Sequence, residues 1–387
     1  MRIAVVAGPE AGHCFPAIAL CLLLRESGDD PVLLTGTERI DTARAAGVET
    51  VELVGLEPQE ADDDNDAGAK LHQRAARMAV LNAAVLERLK PDLVVSDEIT
   101  AAGGLAAELM GIPWVELNPH PLYLPSKGLP PIGSGLAPGS VPSGWVRDAV
   151  MRYLAGRSIR AGERQRSVAR RGIGLSPHGP GPRRRLIATL PALEVPRPDW
   201  PAEAVVVGPL LFEPTDAVLV PPPGNGPLIV VAPSTAVTGA SGLAELALEH
   251  LVPGRTLPKG SRLVVSRLSG DIGAVPPWAT VGLGRQDELL GHADLVICGG
   301  GHGMLAKALL AGVPMVVVPG GGDQWELANR VVRQGSAQLV RPLTPGTLAT
   351  AVNEVISEPA YRAAARRAVQ SVVGVADPVR VCHEAAG

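Results

Sequence analysis

The stretch CGGGHGMLAKALLAGVPMVVVPGGGDQWELAN, residues 298–329, decides how the rest of the chain is read. A short apolar run, 295–298, ends in Gly299, Gly300 and Gly301, after which Leu305, Leu309 and Leu310 recur at helical spacing until Gly312 and Pro314 stop the helix. The pattern then repeats. Residues 316–319 form a buried-type strand, and Gly320, Gly321 and Gly322 deliver Asp323 and Gln324 to the start of another helix on the same strand-end side.

A helix that opens on glycines leaves bare backbone N–H groups at its positive end, where a phosphate can approach closely. Residues 300–303, namely Gly300, Gly301, His302 and Gly303, therefore read as a diphosphate cradle; a tight turn without a ligand would use the same residues. Asp323 and Gln324 beside such a site suit a polyhydroxylated group. Asp323 equally suits the N-cap of the helix from Trp325.

The same run resembles the donor-binding signature of nucleotide-sugar glycosyltransferases of the GT-B fold, family 1, on Gly300, Gly301, Gly303, Ala308, Leu309, Gly312, Pro314, Pro319, Asp323, Gln324, Ala328 and Asn329. Three positions depart from it. The family's phosphate-binding His falls on Gly299, its Thr on Met304 and its ribose-binding Glu on Lys307, which leaves His302 to meet the diphosphate and puts a positive charge at Lys307. Ser234 and Thr235 fall where the family places a hydroxyl loop beside the diphosphate; by themselves they are also ordinary turn formers. Gln286-x-x-Leu289-Leu290 resembles the family's segment beside the nucleotide base, with Leu283 and Arg285 in place of its Trp and Pro.

At the other end of the chain, residues 3–7 are a strand, followed by a loop, a helix and a strand at 31–34, a βαβ order that implies a right-handed crossover in a parallel sheet. Gly8 and Gly12 lack the GxGxxG spacing, and Thr35-Gly36 rather than an acidic residue follows the second strand, which argues against a nicotinamide site. Gly12-His13-x-x-Pro16 resembles the GHxxP loop of the same glycosyltransferases, and also the opening of the transferase that acts on a lipid-linked peptidoglycan precursor. The resemblance makes His13 the general base. Asp97 ends the strand at 91–97, where the family's Asp orients that His; it also suits the N-cap of a helix near Thr100.

The segment 118–144 is rich in Pro and Gly and long enough to be functional, so it is expected to wall an acceptor pocket, with His120 and Tyr123 as contacts. The arginine-rich helix from Trp145 reads as a solvated face, or else as a surface for an anionic acceptor or a membrane. The acidic run at 61–66 lacks the Gly and Glu of a calcium loop and reads as solvated.

Composition bounds the rest. The chain has 387 residues, 46% of them hydrophobic, and a formal charge of 35 − 39 = −4, which gives no reason to expect nucleic-acid binding. Cys14, Cys21, Cys298 and Cys382 have no metal-binding spacing. No basic segment precedes an apolar one at the start, and no apolar run reaches membrane-spanning length, so a cytoplasmic protein without membrane insertion is expected.

The expected architecture is α/β, GT-B, with two Rossmann-like domains whose parallel sheets face a central cleft. An acceptor-binding domain spans 1–212, a Pro-rich linker 213–227 and a nucleotide-sugar-binding domain 228–370, and a C-terminal helix in 371–387 crosses back, as the resemblance implies. The resemblance further implies inverting transfer of a sugar from a UDP- or TDP-linked donor to a small, largely apolar acceptor such as a natural-product aglycone, with no metal and no cofactor beyond the nucleotide sugar. A homodimer remains open. So do a lipid-carrier-linked transferase or nucleotide-sugar epimerase on this fold, and a non-catalytic partner protein, which the departures at Gly299, Met304 and Lys307 motivate.

Overall fold

The structure of the protein, a computed structural model, describes residues 1–57, 59, 66–236, 239–268 and 274–387. The acidic run at 61–66 lies outside the described residues except for Asp66, whose carboxylate accepts from the N–H groups of Gly68 and Ala69 and caps the helix that follows.

The first half runs β1 (Arg2–Val6), α1 (Ala11–Glu26), β2 (Asp30–Thr35), α2 (Thr37–Ala45), β3 (Glu49–Glu52) and α3 (Ala67–Leu89). It continues with β4 (Leu93–Asp97), α4 (Ala102–Met110), β5 (Trp114–Asn118), α5 (Pro142–Gly172), β6 (Arg184–Ile187) and β7 (Ala204–Val206). The strands form one parallel sheet in the order β3-β2-β1-β4-β5-β6-β7.

After a connection without helix or strand come β8 (Leu228–Ala232), α6 (Leu243–His250), β9 (Arg262–Ser266), β10 (Ala279–Gly282), α7 (Gln286–His292), β11 (Leu295–Cys298) and α8 (His302–Leu310). Then follow β12 (Met315–Val317), α9 (Gln324–Gln334), β13 (Ala337–Leu339), α10 (Pro345–Ser357), α11 (Pro359–Val369) and α12 (Pro378–Ala386). The second sheet, also parallel, has the order β10-β9-β8-β11-β12-β13.

Helices cover both faces of each sheet, so strand residues of either parity are buried. Ile3 and Val5 point into one core and Ala4 and Val6 into the other; Ile229 and Val231 are likewise opposed to Leu228 and Val230. This is why the strands read as continuous apolar runs rather than as alternation. β10 and β13 lack that signal, being short and carrying Thr280 and Gly282 or Gln338 within them, and no strand is expected there from the pattern alone.

α12 belongs to the core of the first sheet although it ends the chain. Val379, Val381, Cys382 and Ala385 pack with Ile3, Leu20 and Leu117, and the Arg183 guanidinium donates to the Ala385 carbonyl at 2.8 Å. Its Asp377 carboxylate accepts from Val379 N–H and starts the helix.

Both sheets reverse strand order once, at β1/β4 and at β8/β11. In open parallel sheets the crevice for ligands lies at the carboxyl ends of the strands at such a point, because the connections on either side lead to opposite faces. His13 follows β1 and Asp97 ends β4; Ser234 follows β8 and Gly299 follows β11.

Candidate active site

His13 is not in a loop, as its position between strand and helix suggests, but in the first turn of α1, where its N–H donates to the Glu10 carbonyl at 3.0 Å. Its Nδ1 lies 2.7 Å from Asp97 Oδ1. Asp97 does not cap α4, whose cap position is Ala101; its other oxygen, Oδ2, instead accepts from Thr100 N–H at 3.1 Å and from the Thr100 hydroxyl at 3.0 Å in the turn ahead of that helix. Asp97 is buried, and the Thr100 hydroxyl in turn accepts from Gly8 N–H at 2.8 Å. The carboxylate is thus aimed from two sides. Burial pulls the His13 pKa down, but the hydrogen bond and charge of Asp97 outweigh it, and the net direction is up.

His120 and Tyr123 lie against this pair. The His120 ring is 6.4 Å from that of His13, edge to face, and 4.1 Å from that of Tyr123, stacked. Both His120 nitrogens have protein partners, the Pro121 carbonyl on Nδ1 and Glu98 on Nε2, so neither is left for an acceptor hydroxyl. Glu98 follows Asp97 directly in sequence, and the strand-end position could have singled it out. Tyr123 Oη is 3.5 Å from Asp323 Oδ2, across the cleft.

In the second half, α8 begins at His302 after Gly301, and no side chain caps its first N–H groups. The glycines before it have different reasons to be there. A Cβ on Gly299 would stand 2.7 Å from Ser234 Cβ, and Gly300 has φ +82°. At Gly301 and Gly303 a Cβ would meet nothing within 4 Å, and neither has a positive φ. The fold alone does not call for glycine at those two positions.

Several candidate donor residues are already engaged. Gln324 is buried; its Oε1 accepts from Gly320 N–H at 2.9 Å and its Nε2 donates to Ser234 Oγ at 2.7 Å, so it ties the second glycine turn to the loop after β8. Asp323 is exposed at the head of α9 and makes no side-chain cap, which removes the capping role that its position suggests. Lys307 pairs with Glu213 at 2.7 Å and donates to Gln286 Oε1 at 3.0 Å. Glu213, in the linker, also accepts from Gln286 and Asp287 N–H at the start of α7. Nothing in the linker sequence marks it. Arg285 pairs with Asp287, and Thr235 is exposed.

His302 is buried and turned toward the first sheet, where its Nε2 shares a 2.8 Å hydrogen bond with the hydroxyl of Thr189, just beyond β6. Burial, then the charges of His120 and Arg330, push its pKa down to about 3, so the ring is neutral. That nitrogen is not directed at a diphosphate.

The Pro/Gly segment after β5 crosses the cleft and docks on α9. Ser134 O accepts from Trp325 Nε1 at 3.2 Å, Gly135 N–H donates to Glu326 at 2.9 Å, and Arg333 donates to Gly135 O at 2.6 Å. Arg330, buried, donates to Glu326 on its own helix and to the Leu193 carbonyl of the first half. In α5 the arginines are not uniformly a solvated face: Arg170 is buried and paired with Glu108.

Residues 238–386 match the family model described as erythromycin biosynthesis protein CIII-like, C-terminal domain. Over 299 residues, 73% of this chain and 70% of the relative, the sequence is 31% identical to the 4'-demethylrebeccamycin synthase of Lentzea aerocolonigenes. The chain belongs to the GT-B natural-product glycosyltransferases. The elloramycin glycosyltransferase ElmGT of Streptomyces olivaceus is 26% identical to this glycosyltransferase over 100% of its chain and 98% of the relative. The structure of the Streptomyces sp. SF2575 glycosyltransferase SsfS6 with thymidine diphosphate superposes with a TM-score of 0.67 at 19% identity, covering 99% of both chains, and shares the fold. The glycosyltransferase is thus an enzyme, not a non-catalytic partner. No helix among its described residues is long and apolar enough to cross a membrane.

Proposed function

We propose that this glycosyltransferase moves a sugar from a nucleoside diphosphate, thymidine or uridine, to a hydroxyl of a small, largely apolar acceptor of the natural-product aglycone kind, with inversion. The observation that carries the reading is the 2.7 Å His13–Asp97 pair at the switch point of the first sheet, matched by a glycine turn at the switch point of the second. With Nδ1 held as a donor to Asp97, the lone pair of His13 is on Nε2, the atom that takes the proton. The acceptor oxygen attacks the anomeric carbon from the His13 side, the bond to the diphosphate breaks on the other, and Asp97 stabilises the imidazolium that forms.

The leaving diphosphate is received by the uncapped N–H groups of α8. Gly301 and Gly303 are open enough for close approach, and Ser234 stands beside Gly299. Dipole and backbone donors there oppose the charge that develops as the bond breaks, and no metal is part of this reading. Asp323, exposed and met by Tyr123 on one oxygen only, supplies a carboxylate for sugar hydroxyls, while Gln324 braces the turn. A donor of this chemistry makes SsfS6, which binds thymidine diphosphate, a guide to the first probe.

The test is calorimetry with thymidine and uridine diphosphate, combined with turnover on a panel of aglycones, for the wild type and His13→Ala. One diphosphate should bind with micromolar affinity in both proteins, and turnover should fall by about 10²–10⁴-fold in the variant. Equal turnover in the two proteins would remove His13 as base; no binding of either diphosphate by the folded protein would remove the donor class.

A further inference from the structure

His120 faces hydrogen-bond acceptors on both ring nitrogens. The Pro121 carbonyl, 2.7 Å from Nδ1, can only accept, so Nδ1 carries a proton. On Nε2 the partner is the Glu98 carboxyl group. A carboxylate ordinarily binds a proton about two pH units more weakly than imidazole does, so this nitrogen keeps its proton too. The ring itself is 6% exposed and held face to face with Tyr123 at 4.1 Å. A histidine so placed has no lone pair to act as a base, but it does have a fixed charge.

That charge stands 6.4 Å, centre to centre, from the His13 ring. We infer that His120 is a positioning residue for the reaction, an imidazolium locked by Glu98 and the Pro121 carbonyl whose field opposes that of Asp97 and limits how strongly Asp97 favours the protonated form of His13. The inference rests on the reading of His13 as the base and deepens it.

The groups around the pair are few. Asp97 and Glu98 face His13 from the end of β4, and His120 faces it from the segment after β5. Glu98 faces His120 from the first half and Asp323 from the second. The buried neutral ring of His302 lies beyond. Asp97 orients His13, but a buried carboxylate in contact with an imidazole also favours the protonated ring, which cannot take a proton. Glu98 alone would add to that effect. Paired with Glu98, His120 brings a positive charge to His13 and lowers its pKa against the rise that Asp97 causes.

The test reads ring protonation first and turnover second, on the full chain. In the wild type, ¹⁵N spectra at pH 7 should show both His120 nitrogens protonated; a neutral His120 would overturn the inference without any variant. In His120→Gln, the His13 pKa followed by NMR should rise by about one pH unit, the amount expected of a unit charge at this separation in a partly buried site. The acid limb of the kcat/KM profile should move with it. His120→Lys, which restores a charge, should bring both back toward the wild type, a rescue that a purely structural role would not give. An unchanged His13 pKa in a folded His120→Gln protein would overturn the inference. Should the pKa rise while the acid limb stays in place, the coupling stands and the assignment of His13 as base is what fails.

Discussion

His302 Nε2 and Thr189 Oγ1, 113 residues apart, share a 2.8 Å hydrogen bond between the first turn of α8 and the end of β6. It ties the glycine turn of the second sheet to the first domain through a ring that burial keeps neutral, with a pKa of about 3 against an ordinary 6.5. Because the folded-state value is lowered, the unfolded chain binds a proton between pH 6.5 and about 3 that the folded chain does not. The contribution is therefore fully present above pH 6.5 and is lost as pH falls through that window, by up to about 1.4 kcal/mol per pH unit. Urea midpoints at pH 7 and pH 5 should differ less in His302→Gln than in the wild type. Parallel pH dependence in the two proteins would show that the ring is not held neutral.

Asp97→Asn keeps the size of the side chain but changes the tautomer of His13. The amide oxygen can still accept from Thr100, which leaves the NH₂ group facing His13 Nδ1. That nitrogen must then accept, the proton moves to Nε2, and the lone pair needed for catalysis is lost. Turnover should fall by about 10²–10⁴-fold with the affinity for nucleoside diphosphate unchanged, since the donor residues lie on the other sheet. Full activity of the variant would mean that Nε2 is not the atom at work.

The glycines of residues 299–303 should separate fold from ligand. Gly301→Val places its side chain in open space with an ordinary φ, so the melting temperature should stay near that of the wild type while thymidine diphosphate binding weakens by about tenfold or more. Gly299→Ala instead drives a Cβ to 2.7 Å from Ser234 Cβ and 3.0 Å from its backbone N, and should cost about 1–3 kcal/mol of stability. Denaturant titration and calorimetry on the two variants check both halves. Unimpaired binding by Gly301→Val would place the diphosphate elsewhere.

Deleting residues 377–387 should destabilise the first domain, not the second. α12 buries Val379, Val381 and Cys382 among Ile3, Leu20 and Leu117, and each fully buried aliphatic side chain is worth about 1.5–3 kcal/mol. His383 also pairs with Asp29 at 2.7 Å. Hydrogen exchange should accelerate in β1, β4 and α1 and remain slow in β8 and β11. Uniform loss of protection would instead mean that the two halves unfold as one unit.

The elements were legible in the sequence where they are buried on both faces. The runs at Leu93–Asp97, Leu228–Ala232 and Leu295–Cys298 are almost wholly apolar, which marks the strands, and Asp97 at the end of the first and Gly299 after the third mark the ligand-facing end. β10 and β13 sit at or near a sheet edge, where less burial is demanded, and their residues carry no such mark. His13 and Asp97 were singled out by the resemblance together with their strand-end positions, and the fold brings them together because strand ends at a switch point converge whatever the spacing in sequence.

What the side chains do once they converge was not legible. Lys307 reads as a charge beside the donor, yet Glu213 pairs with it; Gln324 reads as a sugar contact, yet its amide also braces Gly320 and Ser234. His302 reads as a phosphate contact and turns instead toward Thr189. In each case the partner comes from a distant segment that only the packing brings near.

The sequence by itself determined two parallel sheets, the strand ends that face each other and the glycine turn that opens α8, because these depend on local burial period and backbone freedom. Only the tertiary structure decided which polar groups are left free to work. A buried donor or acceptor must find a partner when it loses water, and the choice of partner, such as Glu98 for His120 or Thr189 for His302, depends on the distances between segments that are remote in sequence.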